Sequence, residues 1–321
     1  MKEKLIIGDD LGGTTTKLAV LKQTGEIINK WEIPTDVSSE GRNIICDIAK
    51  SINQKIVELD ITNGDILGIG LGAPGPVNLE NGVIYEAVNL GWQDKYPLQQ
   101  LLEEATAIST IIDNDANCAA LGEMWKGAGN GAKDLICITL GTGVGGGIIA
   151  NGDIIHGING AGGEIGHVTS VSVGGAPCNC GKTGCLETIA SATGIVRLAR
   201  GKLQNRQVDS KLHHSLIHKG KITAKDVFDA ASEGDLIAND VVNEVAKYLG
   251  LALANVATIF NPEKIVLGGG VSKAGDTLLK PVKEYFEKFV FNRVAQSTKL
   301  TIATLGNDAG VVGAAWLVLK K

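Results

Sequence analysis

The sequence predicts an α/β protein made of two similar α/β domains around a cleft, and three observations predict it. The chain has 321 residues, longer than one hydrophobic core usually organises. Two β-type apolar runs joined by a polar glycine turn occur twice, within residues 5–21 and within 135–150. A buried-type strand that runs into glycines also occurs twice: 66–71 before Gly72-Ala73-Pro74-Gly75-Pro76, and 265–267 before Gly268-Gly269-Gly270. The second half thus repeats the order of the first, the mark of an internal duplication.

The elements follow in order. A strand at 5–7 meets the turn Asp10-Leu11-Gly12-Gly13-Thr14, returns at 18–21, and is joined by a third strand at 27–33. Apolar residues at helical spacing predict a helix over 44–59. After strand 66–71, a short strand at 109–112 ends at Asp113-Asn114-Asp115, and a helix over 116–125 has Asn114 or Asp115 as a competent N-cap. The second half opens with strand 135–140, places Gly141 through Gly147 in a turn, and returns at 148–150. Helices are expected near 189–200, 224–232 and 236–260, the last stopping before Pro262, which has no N–H to continue the ladder. The final helix, 309–319, is rich in Ala and Gly and is expected to cross back onto the first domain. The domains are therefore read as 1–115 plus 306–321, and 116–305 with a cysteine-rich loop.

Composition narrows the function. Lys+Arg 30 against Asp+Glu 35 gives a formal net charge of -5 with no basic block, which argues against nucleic acid as a partner. Met1-Lys2-Glu3-Lys4 reaches acidic and glycine residues without the apolar core of a signal peptide, so a cytoplasmic location is expected. The most apolar stretch, 236–260, contains Asp240, Glu244 and Lys247 and reads as a buried amphipathic helix, with no membrane partner implied. In a reducing compartment the six cysteines are thiols or metal ligands. Glycine, at 43 residues, follows no repeating period and belongs to turns and close backbone approaches.

The first glycine turn joins Asp10, Gly12, Gly13, Thr14, Thr15 and Lys17 in one segment. Successive N–H groups, hydroxyls and a cation suit a phosphate, and Asp10 suits Mg²⁺ directly or through water; the bland alternative is an ordinary hairpin turn. Gly141, Gly143 and Gly146 satisfy G-x-G-x-x-G, yet a strand follows them and not a helix, so a dinucleotide site is disfavoured. A second phosphate hairpin, with Thr142 and Gly143 nearest the γ-phosphate, fits better. Gly268, Gly269 and Gly270 would let an adenine or ribose lie on bare backbone, or make only a tight strand-to-helix turn.

Asp115 stands where a strand meets a helix, and the positive end of the helix dipole favours its ionised form. A single placed carboxylate is what a phosphoryl transfer to a hydroxyl needs as base, while a helix cap is the alternative. Asn114 and Asn117 flank it with neutral groups suited to sugar hydroxyls. His167, Cys178, Cys180 and Cys185 supply one imidazole and three thiolates around a glycine-rich loop, a filled tetrahedral set that marks structural zinc. Cys46, Cys118 and Cys137 read as core residues, and His156, His213, His214 and His218 show no partner pattern. Glu164 and Glu187 bracket the zinc ligands, so the metal would preorganise two carboxylates that pair with sugar hydroxyls.

Together these segments resemble the ROK family of bacterial sugar kinases and repressors, and more narrowly its glucokinases, over nearly the whole chain. The cysteine loop is the most specific likeness. The resemblance implies the actin-like ATPase (ribonuclease H-like) fold, ATP with Mg²⁺ and structural Zn²⁺, and transfer of the γ-phosphate to the 6-hydroxyl of glucose. Other readings are a kinase for N-acetylmannosamine, fructose or mannose, or a sugar-sensing protein without turnover. By resemblance Asp115 is the base, and Asn114, Glu164, His167 and Glu187 hold sugar hydroxyls, with Gly75 and Asn89 as further sugar-side candidates. His167 would serve sugar and zinc through different ring nitrogens. A homodimer is also implied. The repressor members carry an N-terminal winged-helix domain, whereas here the phosphate hairpin lies within the first residues, so a repressor is not expected. Asp9 replaces an apolar strand residue of the family; a carboxylate there costs stability if buried, or adds charge near Mg²⁺.

Overall fold

The structure, a computed structural model, describes residues 3–93, 95–205 and 209–320; Met1 and Lys2 of the amino-terminal reading lie outside them. By contacts the chain divides into two compact units, Met1–Gly131 with Gly147–Gly162 and Leu305–Lys321, and Ala132–Gly146 with Gly163–Thr304.

The first unit holds β1 (Leu5–Leu11), β2 (Thr15–Lys22), β3 (Ile27–Pro34), β4 (Ile66–Ala73), a small pair β5 (Val77–Asn78) and β6 (Val83–Ile84), and β7 (Thr110–Asn114). Its main sheet runs β3-β2-β1-β4-β7. The hairpin strands β1, β2 and β3 pair antiparallel, while β1, β4 and β7 pair parallel. Strand alternation sends Ile7, Leu11 and Leu18 into a core with Ile44, Ile48 and Ile52 of the helix Ile44–Glu58. On the opposite face Ile6, Ala19 and Leu21 pack with Val311, Val312 and Ala315 of the helix Ala309–Lys320. Each such fully buried Ile or Leu contributes about 1.5–3 kcal/mol before its entropy cost. That last helix does return to the first sheet, and glycine lets it come close: a Cβ on Gly70 would overlap the Ala314 carbonyl, and one on Gly313 the Cys118 carbonyl. Cys118 belongs to the helix Asp115–Trp125, which through this approach joins the first unit. The sequence-based boundary after residue 115 cuts that helix off, because the glycine contact that holds it is made with a segment nearly two hundred residues away.

The second sheet contains β8 (Leu135–Leu140), β9 (Val144–Ala150), β10 (Asp153–Ile154), β11 (Lys264–Gly268) and β12 (Lys299–Ile302), ordered β10-β9-β8-β11-β12. β9 and β10 pair antiparallel, and β8, β11 and β12 parallel. This is the order of the first sheet strand for strand, so the duplication read from the sequence is present in the fold. The helix Leu236–Phe260 buries Val241, Val245 and Leu249 along one stripe and meets the helix Asp276–Phe289 where Gly250 lies against Tyr285.

Some expectations change. β9 begins at Val144, so Gly145 to Gly147 are strand residues and the turn is only Gly141 to Gly143. Glycine is needed within the strand because its neighbours crowd it, as Ala120 does at Gly147. Cys46 is exposed, since it falls off the stripe formed by Ile44, Ile45, Ile48, Ala49, Ile52 and Ile56; Cys118 and Cys137 are buried as expected. The helices Leu98–Thr106, Lys211–Lys219 and Asp276–Phe289 were not anticipated. Among the described residues no helix is long and apolar enough to cross a membrane.

Candidate functional site

In the first unit, β1 and β2 place Asp10 directly opposite Lys17, with Nζ 3.3 Å from Oδ2. Burial raises the Asp10 carboxyl above its ordinary value, and the Lys17 ammonium pulls it the other way. The turn between the strands is fixed from inside. The Gly12 N–H donates to the Thr15 carbonyl (3.2 Å), the Thr35 hydroxyl to the Gly12 carbonyl (2.7 Å), and the Thr35 N–H to the Thr14 carbonyl (3.0 Å). Thr14 is exposed, Gly12, Gly13 and Thr15 are half-buried, and a Cβ on Gly13 would lie 3.5 Å from Asn89 Cβ. The structure therefore puts Asn89 beside the first glycine turn. Asp9, one residue earlier, is completely buried on the face of Ile7 and Leu11, with neither carboxylate oxygen bonded among the described residues. Desolvation pushes its carboxyl well above the ordinary value, with a smaller push from Asp10.

The junction of β7 with the helix Asp115–Trp125 collects three more expected residues. Asn114 caps the helix: its Oδ1 accepts the Ala116 N–H (2.9 Å) and the Asn117 N–H (3.3 Å), and its Nδ2 donates to the Gly75 carbonyl (3.1 Å). Gly75 has φ +95°, open to glycine, and a Cβ there would overlap the Glu86 carbonyl. Asp115 opens the first turn, half-buried, its Oδ1 accepting the Ala116 N–H at 2.8 Å. The cap thus falls to Asn114, and Asp115 sits at the positive end of the helix. Below them Asp113 is bonded to His156, a histidine with no partner pattern in the sequence.

In the second unit, the turn Gly141-Thr142-Gly143 rests on Glu187 and on the start of the helix Ala192–Asn205. The Val144 N–H donates to Glu187 Oε2 (3.0 Å), the Ala192 N–H to the Gly141 carbonyl (2.8 Å), and the Thr193 hydroxyl to the Thr142 carbonyl (3.0 Å). A Cβ on Gly143 would lie 2.5 Å from Glu187 Oε2, so no larger residue fits the present geometry. Glu187 Oε1 is also 3.7 Å from Cys178 Sγ. This braces the turn against the cysteine loop, a role for Glu187 that the sequence did not show. Gly268 ends β11, and Gly269, at φ +81°, follows it against the Leu140 carbonyl, with Gly270 open to solvent space.

His167, Cys178, Cys180 and Cys185 present four ligand atoms all within 4.8 Å of one another. Cys180 and Cys185 sulfurs are 3.6 Å apart, and His167 Nδ1 is 3.6 Å from Cys178 Sγ. His167 Nε2 instead lies 3.9 Å from Glu164 Oε2, so the two ring nitrogens face different partners. Burial pushes the Cys178 thiol up to about 12, whereas the backbone N–H of Lys182 lowers Cys180. Three thiols and an imidazole whose ligand atoms converge within 4.8 Å fit a cation that would hold the sulfurs as thiolates. The imidazole-plus-three-thiolate donor set matches tetrahedral zinc.

Two α/β halves with one strand order, each opening on a glycine hairpin, define a protein of the actin-like ATPase class. The ROK family model matches residues 6–321. The chain is 56% identical over 321 residues to a glucokinase of Halalkalibacterium halodurans, covering 100% of this chain and 97% of that one. It is 36% identical over 327 residues to a glucokinase of Thermotoga maritima, covering 100% and 99%. The structure matches a ROK family glucokinase from Streptomyces griseus, solved with glucose and AMPPNP, at TM-score 0.80 and 33% identity, covering 99% and 100%. The chain belongs to the ROK family.

Proposed function

We propose that the protein is a glucokinase, transferring the γ-phosphate of MgATP to the 6-hydroxyl of glucose. The observation that carries the reading is the full-length likeness to glucokinases, and the residues support it in two groups. In the first unit, the Asp115 carboxylate takes the proton of the sugar hydroxyl as that oxygen bonds to the γ-phosphorus and ADP leaves. Asn114, Gly75 and Asn89 serve the sugar side. Asp10 would hold Mg²⁺, directly or through water, and Mg²⁺ would neutralise phosphate charge; Gly12, Gly13, Thr14, Thr15 and Lys17 serve the phosphates.

In the second unit, Thr142 and Gly143 serve the phosphates, Gly268 to Gly270 the nucleoside, and Glu164, His167 and Glu187 the sugar hydroxyls. Zinc on His167, Cys178, Cys180 and Cys185 would fix that loop without entering the reaction. The separate faces of the His167 ring support its double role. Assembly as a homodimer and a cytoplasmic location complete the proposal; light scattering of the purified chain checks the first.

The test is a coupled ADP-release assay across a hexose panel. Glucose is expected to give the highest kcat/KM. A higher value for N-acetylmannosamine, fructose or mannose would move the substrate assignment, and sugar binding in a calorimeter without ADP release would make the protein a sensor.

A further inference from the structure

Asp113 is 2% exposed and lies in β7 immediately before Asn114 and Asp115. Burying a carboxylate costs least where donors converge on it. Three do. Oδ1 accepts the Asn114 N–H at 2.7 Å and the Asn117 side-chain amide at 2.9 Å. Oδ2 meets His156 Nε2 at 2.8 Å. Two of these donors belong to the strand-to-helix junction itself, and the third comes from a loop beyond β10, 43 residues on.

The loop that supplies His156 is itself built. The Ile155 N–H donates to the Ile148 carbonyl (2.8 Å) and the Gly162 N–H to the His156 carbonyl (2.8 Å). At Gly160, with φ +78°, an added Cβ would lie 2.6 Å from the Val77 carbonyl oxygen, so only glycine lets the two backbones come this close. The imidazole is thus carried by an anchored backbone and directed at one oxygen of a buried acid. With Nε2 as donor, that oxygen is bonded from outside the junction while the other is bonded from within it, so the carboxylate has no freedom to turn.

We propose that His156 is a positioning residue for phosphoryl transfer: through Asp113 it holds the Asn114–Asp115 junction in register, and so aims the Asp115 carboxylate. The proposal rests on Asp115 acting as base. Without the imidazole, Asp113 loses the one donor from outside the junction that it has among the described residues, turns to seek another, and carries the Asn114 N–H and the Asn117 amide with it. Misplacement of a reacting group by about 1 Å costs on the order of a hundredfold in rate.

The experiment compares the full-length wild-type enzyme with His156→Ala and His156→Gln, measuring kcat, both KM values and thermal unfolding. For His156→Ala, kcat is expected to fall about tenfold to a hundredfold, with the KM for ATP within about twofold of wild type, since the phosphate hairpins are untouched. Glutamine retains an N–H donor and is expected to recover most of the loss. Added imidazole is expected to restore part of the rate in His156→Ala, because 26% of the histidine side-chain surface reaches solvent. An alanine variant that unfolds at lower temperature but keeps wild-type kcat overturns the proposal, as does a kcat deficit that neither glutamine nor imidazole reduces. A wild-type chain that releases no ADP with any hexose overturns the phosphotransfer reading, and this proposal with it.

Discussion

The two glycine hairpins share strand order and a Leu-Gly opening, yet they are held in different ways. Matching Leu11-Gly12 with Leu140-Gly141 sets Asp10 against Thr139 and Asp9 against Ile138. The pairing agrees: Asp9 neighbours Leu71 on β4, and Ile138 neighbours Leu267 on β11. The first hairpin carries its own charged pair, Asp10 with Lys17, while the second carries none and borrows Glu187 from the cysteine loop to hold its turn. One duplicated backbone therefore accommodates two solutions. The first half keeps ionisable groups on the strands, and the second delegates them to a loop that a metal would stiffen.

The largest test of that division removes the proposed base. Asp115→Asn is expected to lower kcat by about 10²–10⁴-fold with little change in the KM for glucose, measured by ADP release. Near-normal turnover would remove chemistry from the first half altogether. Next, Cys180→Ser is expected to lose the metal, read by elemental analysis, and to raise the KM for glucose about tenfold, because Glu187 and His167 lose their brace. Unchanged sugar affinity in metal-free protein would show that the second hairpin needs no metal support.

Packing gives a smaller effect. Gly313→Ala forces a methyl onto the Cys118 carbonyl and is expected to cost about 1–3 kcal/mol in denaturant unfolding. A neutral result would mean the helices of the first unit slide apart freely.

The smallest effect has the opposite sign. Asp9→Val makes the first hairpin resemble the second, and is expected to stabilise the protein by about 1–3 kcal/mol at neutral pH by removing a buried, unpartnered acid. The folded-state value of Asp9 is raised, so the folded chain binds the proton more tightly than the unfolded chain. The part of its cost that comes from ionisation is absent below the ordinary carboxylate range and grows as pH rises from there toward the folded-state value. The gain from Asp9→Val should therefore shrink as pH falls toward 4, followed by unfolding temperature at each pH; a gain independent of pH would mean that ionisation of Asp9 is not the source.

Much of this was legible in the sequence because periodicity and punctuation are local signals. Apolar spacing marked the helix Leu236–Phe260, and the paired glycine turns announced the repeated hairpin. The cysteine spacing brought four metal-ligand types into one loop, and the structure does gather them. What was missed depends on partners distant in the chain. Nothing around His156 points to Asp113, nothing around Glu187 points to the Val144 N–H, and Gly145 to Gly147 look like turn residues until the strand that contains them, crowded at Gly146 and Gly147, is seen. Cys46 failed for a simpler reason: one step along a helix rotates a residue off the buried stripe.

The closing helix, Ala309–Lys320, has a consequence for how the molecule is made. It covers the face of Ile6, Ala19 and Leu21, residues that leave the ribosome long before it does. During synthesis that apolar face waits, uncovered, through the long stretch of chain that separates Leu21 from Ala309. Until that helix emerges this part of the chain cannot reach its final packing, and ribosome stalling ahead of it would release a polypeptide with Ile6, Ala19 and Leu21 exposed to chaperones or to aggregation.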